Sequence, residues 1–486
     1  MALRLETMQP TASGFPLGIM VAADFIPEDD RRGIYMEDAE GHRLIVGPPG
    51  SGKFTSAIAP LLLTADAHSA IIFDVANGEA AIKTSGHRAS LGPVAVLDPF
   101  GMTGAAGSAF NPLDLLRADD PAILSKARRL ADALMMFSKG GGDADYWNGQ
   151  ASNFMVALLI HVATSPDEEG RRTLQRVREI VRRPFSIDRD DAAGFRAALV
   201  EGDWQEAERI WPNGLLLDAM KENLIAGGIV RDEAENITAA EGGKNAFYIQ
   251  QTMRENTAFL DLPEVQRVTA ATDFDIASLR RGVATLYIVV PEYELHNVNR
   301  WLRLLYASIM EQMRQIGDAA TATRLHVILD EFPAFGRFDR VKADMALVRK
   351  WGNNMHVVVQ SLEQLDRIYG RGWQEILGVS MYRQLLGAND LATARFFSDS
   401  IGKTTVAATS QTHSRASAGG SQSTSQSWQS EPLLSVDQIM QMDRDLTVVL
   451  VEGKRPLKLH KWHYYQDSYL SGRADKLPTW KLAKSA

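Results

Sequence analysis

The chain contains no cysteine among its 486 residues. Disulfide bridges and thiolate metal sites are therefore excluded, and the composition fits a reducing compartment. The sequence also lacks any run of about 18 apolar residues, the length that a membrane-spanning helix requires. Its N-terminal segment has neither the charged start nor the hydrophobic core of a signal peptide. These absences predict a soluble, intracellular protein with no transmembrane segment in this chain.

An excess of positive charge is missing as well, since the net charge is −8 at pH 7. This charge argues against a protein that coats nucleic acid with its whole surface, although it is compatible with local basic loops inside a channel. At 486 residues the chain is long for a single domain, so we expect two structural units.

Short runs rich in Val, Ile and Leu occur on both sides of a long region of helical pattern. Such runs are typical of a buried parallel sheet, and the predicted strands are Leu44–Gly47, Ala70–Asp74, Val94–Asp98, Thr285–Val290, Leu325–Asp330, Met355–Gln360, Gln384–Gly387, Leu446–Glu452 and Leu457–Tyr465. Between them, residues 116–262 show apolar residues at helical spacing. The predicted fold class is α/β. Residues 33–115 and 263–486 form one domain with a mostly parallel sheet, 116–262 form an inserted all-α domain, and 1–32 form an N-terminal lead segment.

One stretch of low complexity, residues 409–432, is rich in Ser, Gly, Gln and Thr. With scarcely any apolar side chain, it cannot offset the entropy that ordering would cost. We predict a flexible loop here, or a segment that orders on assembly.

The strongest chemical motif is a glycine-rich loop between a predicted strand and a predicted helix. A phosphate loop requires this context, in which curled backbone N–H groups face one anion and the helix N-terminus adds positive charge. Lys53 would reach the β- and γ-phosphates. A glycine- and proline-rich turn with an incidental lysine is the competing interpretation. The predicted nucleotide-binding residues are Gly47, Pro48, Pro49, Gly50, Ser51, Gly52, Lys53, Phe54 and Thr55.

The position after the lysine departs from the usual motif. It is Phe54 here, where a Ser or Thr hydroxyl normally binds Mg²⁺, and Thr55 comes one place too late to replace it. We expect phosphate binding by the backbone and Lys53 to survive this change, and direct metal coordination from the loop to be lost.

A second motif is the acidic pair Asp330 and Glu331, which follows an apolar strand run. Open α/β sheets bind ligands at the carboxyl ends of their strands, where Asp330 suits contact with Mg²⁺, directly or through water. Glu331 suits polarisation of the attacking water. Alone, such a pair is as often a simple strand end, but the upstream phosphate loop favours the catalytic interpretation.

Two further residues complete the predicted catalytic set. Gln360 ends the next predicted strand, where its amide can hydrogen-bond the γ-phosphate or the lytic water and report the nucleotide state. A plain strand cap is the alternative. Arg349 lies in the intervening helix and is either a solvated cation at a helix C-terminus or an arginine finger for a neighbouring subunit. Position alone favours the solvated cation.

Taken in order, these motifs resemble those of the TraG/TraD-type coupling proteins of conjugation and type IV secretion. The resemblance runs from Gly33 to Tyr465 and includes LDPFG, FNPLD, DFDIASLRRG, QSLEQLDRIYG, GANDLATARFFSDSIGKTTV and VLVEGKRPLKLHKWHYY. The segment IIFDVANGE is similar to the Asp-x-Lys-Gly-Glu strand end of the family, with Asn77 in place of the lysine. Phe54 is a second departure. The third is the absence of the N-terminal transmembrane helices that are usual in the family.

The resemblance implies a RecA-like P-loop ATPase with ATP and Mg²⁺ as cofactors, which couples hydrolysis to movement of DNA or protein. It implies a homo-oligomeric ring, typically a hexamer, with a monomer in isolation also compatible. It assigns the nucleotide roles to Lys53, Asp330, Glu331, Arg349 and Gln360, with Arg349 as a finger in trans.

The implied partners are type IV channel components and secretion ATPases. The all-α domain would receive a relaxase–DNA complex or effector proteins, and single- or double-stranded DNA is a further implied partner. The implied location is cytoplasmic, peripheral at the inner face of the bacterial inner membrane.

Three functions stay open at this point. The first is an ATP-driven receptor and translocase that feeds a type IV secretion channel. The second is a cytosolic DNA pump akin to FtsK, which lacks this helical insertion. The third is a nucleotide-gated cargo adaptor with little hydrolysis, an interpretation that Phe54 and the missing membrane anchor support. The helical insertion and the C-terminal motifs favour the first function, and no motif names its cargo.

Overall fold

The structure is a computed structural model. No helix in the part of the chain that it describes is long and apolar enough to cross a membrane. The described residues are 14–20, 34–38, 41–105, 107–135, 143–239, 244–315, 322–348, 351–414, 421–476 and 478.

The described chain contains both strands and helices, with a long run of helices between β5 and β6. The strands are β1 (Gly14–Met20), β2 (Ile34–Asp38), β3 (Arg43–Val46), β4 (Ser69–Asp74), β5 (Val94–Leu97), β6 (Thr285–Val289), β7 (Leu325–Leu329), β8 (Asn353–Val359), β9 (Tyr382–Leu385), β10 (Lys403–Ser414), β11 (Ser421–Pro432), β12 (Leu446–Val451) and β13 (Leu457–His460). The α-helices are α1 (Ala59–Thr64), α2 (Glu79–Ala89), α3 (Ile123–Leu134), α4 (Asp143–Thr164), α5 (Leu174–Arg182), α6 (Arg189–Glu201), α7 (Trp204–Ile210), α8 (Pro212–Lys221), α9 (Ile229–Ala239), α10 (Lys244–Asn256), α11 (Pro263–Thr269), α12 (Ser278–Arg281), α13 (Leu295–Gln315), α14 (Asp339–Val348), α15 (Leu362–Tyr369), α16 (Gln374–Val379), α17 (Leu391–Ile401), α18 (Val436–Met440) and α19 (Ser468–Ala474).

The chain divides into two compact units. The first comprises residues 1–70, 83–91 and 324–478. The second comprises residues 71–82, 92–323 and 479–486. The boundaries of these two units differ from the domain boundaries expected from the sequence. The predicted domain boundaries stay a prediction.

The first unit is built on strands in the order β2-β1-β13-β12-β9-β3-β8-β7. β3 is parallel to β8 and β9, and β7 is parallel to β8, whereas β1, β2, β12 and β13 pair in antiparallel fashion. Every residue of β3, β7 and β8 is buried, as expected for parallel strands that are covered on both faces. Because these three strands are adjacent and parallel, their carboxyl ends meet at one edge of the sheet. The predicted α/β class with a mostly parallel sheet is confirmed.

Part of the predicted N-terminal lead segment belongs to this sheet. β1 pairs with β2 on one side and with β13 on the other, and Leu17 within it is 1% exposed. Residues 1–13 and 21–33 lie outside the described residues.

The second unit contains most of β4 together with β6 and β5, in that order, and β5 is parallel to β6. Its described residues between 116 and 262 form helices and turns without a strand. α4 supplies the centre of this helical region, with Phe154, Met155 and Leu158 fully buried. α3 and α10 pack against α4, because each directs an apolar stripe at it.

Asp74 organises the turn after β4 in the second unit. Its carboxylate accepts hydrogen bonds from the backbone N–H groups of Ala76, Ala80 and Ala81. Burial raises the pKa of Asp74 to about 6. Asn77, at the position where the family carries lysine, adopts a left-handed φ of 61°. Asp74, the first acid of the IIFDVANGE segment, therefore stabilises the backbone of the turn after β4.

The Ser- and Gln-rich stretch forms an antiparallel ribbon where the sequence predicts a loop. β10 pairs with β11 from Lys403 opposite Pro432 to Ser414 opposite Ser421, and residues 415–420 lie outside the described residues. Pairing between the two strands satisfies backbone groups without an apolar core, which a prediction based on side-chain burial does not take into account. The flexibility of this stretch stays a prediction.

Candidate nucleotide-binding site

The predicted phosphate loop joins β3 to a helical turn within the first unit. Gly50 and Gly52 have φ values of 75° and 86°, in the left-handed region that glycine adopts without strain. At Gly47, a Cβ atom would come within 2.4 Å of the Ser51 hydroxyl, so a side chain there would require Ser51 to shift. The Ser51 N–H donates to the Pro48 carbonyl at 3.1 Å. The loop and the start of the helical turn contain Gly47, Pro48, Pro49, Gly50, Ser51, Gly52, Lys53, Phe54 and Thr55.

Lys53 and Glu331 form an ion pair at the edge where the parallel strands end. Lys53 Nζ lies 3.8 Å from Glu331 Oε2, and the two side chains are only 16% and 19% exposed. Lys53 ends the loop after β3, and Glu331 follows β7 by two residues. The parallel arrangement of the sheet therefore brings together two predicted site residues that are far apart in sequence.

The two acids of the predicted pair sit in different conformations. Asp330 directly follows β7 and is 9% exposed. Glu331 has φ 58° and ψ 61°, a left-handed conformation that few non-glycine residues adopt. Such strain persists where the surroundings enforce it, and it clusters at functional sites. The sharp turn ends the strand and leaves Glu331 beside Lys53.

Two glutamines hold the Glu331 carboxylate. Gln360 Nε2 donates to Glu331 Oε2 at 3.1 Å, and Gln364 Nε2 donates to Oε1 over a long 3.5 Å. Gln364 Oε1 accepts the backbone N–H of Gln360 at 3.0 Å, so the Gln364 side chain contacts both Glu331 and the Gln360 backbone. Gln364 is not among the site residues predicted from the sequence. Its one signal is its place in the first turn of α15, four residues after Gln360 and beyond the N-cap Ser361.

Phe54 begins a wide helical turn, Phe54–Ile58, in which the Ala59 N–H donates to the Phe54 carbonyl. This i to i+5 bond makes a π-type turn. Such turns are rare in proteins overall, and those that occur are often found at functional sites. The Phe54 side chain is buried, and its ring meets the Tyr464 ring edge-on with centroids 5.8 Å apart. An apolar residue at this position is therefore accommodated by packing.

Thr55 is engaged by a residue from the C-terminal part of the chain. Its hydroxyl lies 3.1 Å from His463 Nδ1 and donates more weakly to the Gly52 carbonyl at 3.4 Å. Burial lowers the pKa of His463, which favours the neutral imidazole at neutral pH. The Thr55 hydroxyl is thus oriented by a neutral partner.

The predicted roles of the site residues stay predictions. Arg349 lies outside the described residues. Asp330 is the predicted metal contact, and the described residues include no group of three or more metal-ligating acids or histidines. Asp330 stays the predicted contact for Mg²⁺ at this edge of the sheet.

Relatives of this chain include proteins described as VirD4 and as the conjugal transfer protein TraG. The profile of the family described as Type IV secretory system Conjugative DNA transfer matches residues 17–485. VirD4 of Rhizobium rhizogenes is 26% identical over 447 residues, which cover 90% of this chain and 60% of the relative. The chain thus spans about three fifths of the length of the curated VirD4 relatives it matches.

Solved structures of TrwB share the fold. TrwBdeltaN70, described as a bacterial conjugative coupling protein, matches with a TM-score of 0.60 at 15% identity, over 92% of this chain and 93% of that one. TrwB in complex with the ATP analogue ADPNP and with ADP and Mg²⁺ gives TM-scores of 0.60 and 0.58 at the same identity, over 87% of this chain and 85% of TrwB. The predicted resemblance to coupling proteins is confirmed: this chain belongs to the family of type IV secretory system proteins for conjugative DNA transfer.

Proposed function

We propose that this chain is an ATP-dependent coupling protein that delivers a relaxase–DNA complex or effector proteins to a type IV secretion channel. The observation that carries the proposal is the grouping of Lys53, Glu331 and Gln360 where three adjacent parallel strands end. Family membership supports the transport role, and the nucleotide complexes of TrwB support ATP and Mg²⁺ as cofactors.

The phosphate loop supplies the groups that bind ATP. Left-handed glycines at 50 and 52 let successive backbone N–H groups face one anion, and Lys53 adds a positive charge. A bound phosphate competes with Glu331 for the Lys53 ammonium, because both are anions. ATP binding therefore draws Lys53 away from Glu331, while Gln360 and Gln364 keep their hold on the carboxylate.

Glu331 acts as the general base in this mechanism. Its carboxylate is fixed by an amide donor at each oxygen, so it presents one orientation to a water that attacks the γ-phosphate. The release of Lys53 to the phosphate frees the base at the moment when substrate arrives. Gln360 would also pass the nucleotide state to the chain that follows β8.

The residues present fit a Mg²⁺ ion that is held mainly through water. Asp330 is a buried carboxylate at a strand end, whereas Phe54 offers no oxygen and the Thr55 hydroxyl is engaged by His463. Mg²⁺ in nucleotide sites keeps several waters and often takes only one or two protein carboxylates. Bound there, the ion would neutralise charge on the phosphate oxygens.

Replacing Phe54 with threonine should lower the Mg²⁺ concentration needed for half-maximal ATP hydrolysis, because a hydroxyl is restored next to Lys53. The same change should cost about 3 kcal/mol of unfolding free energy, since the buried contact with Tyr464 is lost. A Mg²⁺ titration of ATPase activity and a melting curve measure the two effects.

Phe54→Leu is the matched control, since it changes the packing and adds no oxygen. We expect it to keep the high Mg²⁺ requirement of the wild type. An unchanged Mg²⁺ midpoint in Phe54→Thr, with a lowered melting temperature, would mean that Phe54 serves packing alone.

Assembly into a homo-oligomeric ring, typically a hexamer, is part of the proposal, with Arg349 as a finger in trans. Turnover per subunit should then rise with protein concentration as rings form. Mixing Arg349→Ala subunits with Lys53→Ala subunits should restore turnover, because one partner supplies the finger and the other supplies the site. Each variant alone is the control. Concentration-independent turnover without complementation would return Arg349 to a structural role.

Residues 116–262 are proposed to receive the cargo, and the channel components and secretion ATPases are proposed to bind elsewhere on the ring. The proposed location is the cytoplasmic face of the bacterial inner membrane. A nucleotide-gated adaptor is the second candidate function, and the missing hydroxyl at Phe54 is the observation that favours it.

Steady-state ATPase activity with and without single-stranded DNA, together with cargo pull-down, separates these functions. The coupling motor hydrolyses ATP, and captures relaxase or effector proteins through residues 116–262. An adaptor captures cargo in an ATP-dependent manner without turnover. Turnover stimulated by DNA, with no capture of relaxase or effector, would instead indicate a DNA pump.

A further inference from the structure

Four consecutive residues that follow β13, from Lys461 to Tyr464, lie against the phosphate loop; we call them the C-terminal brace. Lys461 Nζ donates to the Ser51 carbonyl at 2.7 Å. The Tyr464 N–H donates to the Thr55 carbonyl at 3.0 Å, and His463 Nδ1 lies 3.1 Å from the Thr55 hydroxyl. The C-terminal brace therefore contacts the phosphate loop at Ser51 and again at Thr55.

Lys461 makes an unusual set of contacts for a lysine. Its residue is only 4% exposed, and Nζ donates to three main-chain carbonyls: Ser51 at 2.7 Å, Leu386 at 2.8 Å and Arg444 at 2.5 Å. Three is the full donor capacity of an ammonium group. Burial lowers the pKa of Lys461 to about 8, so the side chain is still mainly protonated at neutral pH. The Lys461 ammonium thus connects the phosphate loop to the residue that follows β9 and to the segment that precedes β12.

The contact with the Ser51 carbonyl has a direct consequence for the anion cradle. The peptide group between Ser51 and Gly52 is planar and trans, so its N–H points opposite to its C=O. With the carbonyl held by Lys461, the Gly52 N–H is turned away from the brace. Gly52 keeps a φ of 86°, and a Cβ there would come within 3.2 Å of the His463 ring. The brace and the glycine together fix the direction of this donor.

We propose that Lys461 is a positioning residue for ATP binding: by holding the Ser51 carbonyl, it keeps the phosphate loop in its anion-binding conformation before the nucleotide arrives. The inference rests on the proposed binding of ATP by this loop. A preorganised loop binds more tightly because less ordering has to occur on binding. Loss of the ammonium also leaves buried carbonyls without a donor, which favours a different loop conformation.

The test is the Kd of a fluorescent ATP analogue for Lys461→Met, a change that keeps the apolar stem and removes the donors. We expect binding to weaken by about tenfold, and Lys461→Arg to recover part of the loss. Lys458→Met is the matched control three residues earlier on β13, and we expect its Kd to stay within about twofold of the wild type. An unchanged Kd in Lys461→Met would overturn the proposal.

A second variant covers the case in which Lys461→Met melts below the assay temperature. Lys461→Ala lacks a segment equal to propylammonium, so added n-propylammonium should restore ATP binding and 1-propanol should not. Equal restoration by both would show that filling space is enough, and would overturn the positioning role. Failure of the wild type to bind the analogue would instead count against the proposed function.

Discussion

Lys53→Ala is expected to abolish ATP hydrolysis and to weaken ATP binding by about 10- to 100-fold. A hydrogen bond to a charged group is worth about 1.5–3 kcal/mol, and about 1.4 kcal/mol corresponds to a tenfold change in Kd. The lysine ends the loop and lies 3.8 Å from Glu331, so its removal takes away both the phosphate contact and the partner of the base. Titration with a fluorescent ATP analogue measures binding, and phosphate release measures turnover.

Lys83→Ala is the control for this change, because Lys83 is an exposed lysine on α2. Its Kd and turnover should match those of the wild type. Wild-type affinity in Lys53→Ala would contradict the assignment of residues 47–55 as a phosphate loop.

Glu331→Gln should reduce ATP hydrolysis by about 10²- to 10⁴-fold, the contribution typical of a general base, and leave ATP affinity intact or slightly tighter. The role of the base belongs to the transition state, so ground-state binding does not need it. Affinity can rise because the glutamine no longer competes with phosphate for Lys53. The isosteric amide also keeps an oxygen for the Gln360 amide to contact.

Glu363→Gln, in the first turn of α15, is the matched control. Its side chain is 58% exposed and forms a surface ion pair with Arg367, and such pairs contribute little. Turnover should stay at the wild-type rate. Equal losses of ATP affinity in Lys53→Ala and Glu331→Gln would contradict the separate roles of the two residues.

The parts of the site that could be predicted from sequence are those with a local signal. A buried run of Val, Ile and Leu marks a strand, and the predicted strands that end at Gly47, Asp330 and Gln360 end within one residue of β3, β7 and β8. The predicted strand Leu457–Tyr465 is wrong at its end, because β13 stops at His460. Because parallel strands end at one edge, the residues after three such runs were expected to meet. Lys53, Glu331 and Gln360 do so.

The parts that could not be predicted depend on contacts between distant segments. Gln364 has an ordinary place on an amphipathic helix, and only the sharp turn at Glu331 brings the carboxylate to it. Lys461 falls inside the predicted strand Leu457–Tyr465, whereas β13 ends at His460. Its partner Ser51 is 410 positions away in the sequence. No spacing rule links such residues, because the pairing of β12, β13 and β9 decides where they meet.

The most direct test of the central claim is steady-state ATP hydrolysis by the wild-type chain and Glu331→Gln, measured side by side at saturating Mg²⁺ and at protein concentrations that favour rings. The cluster of Lys53, Glu331 and Gln360 predicts Mg²⁺-dependent turnover in the wild type and its loss in Glu331→Gln, with ATP still bound by both. Turnover that is the same in both proteins would contradict the assignment of this edge of the sheet as an ATPase site.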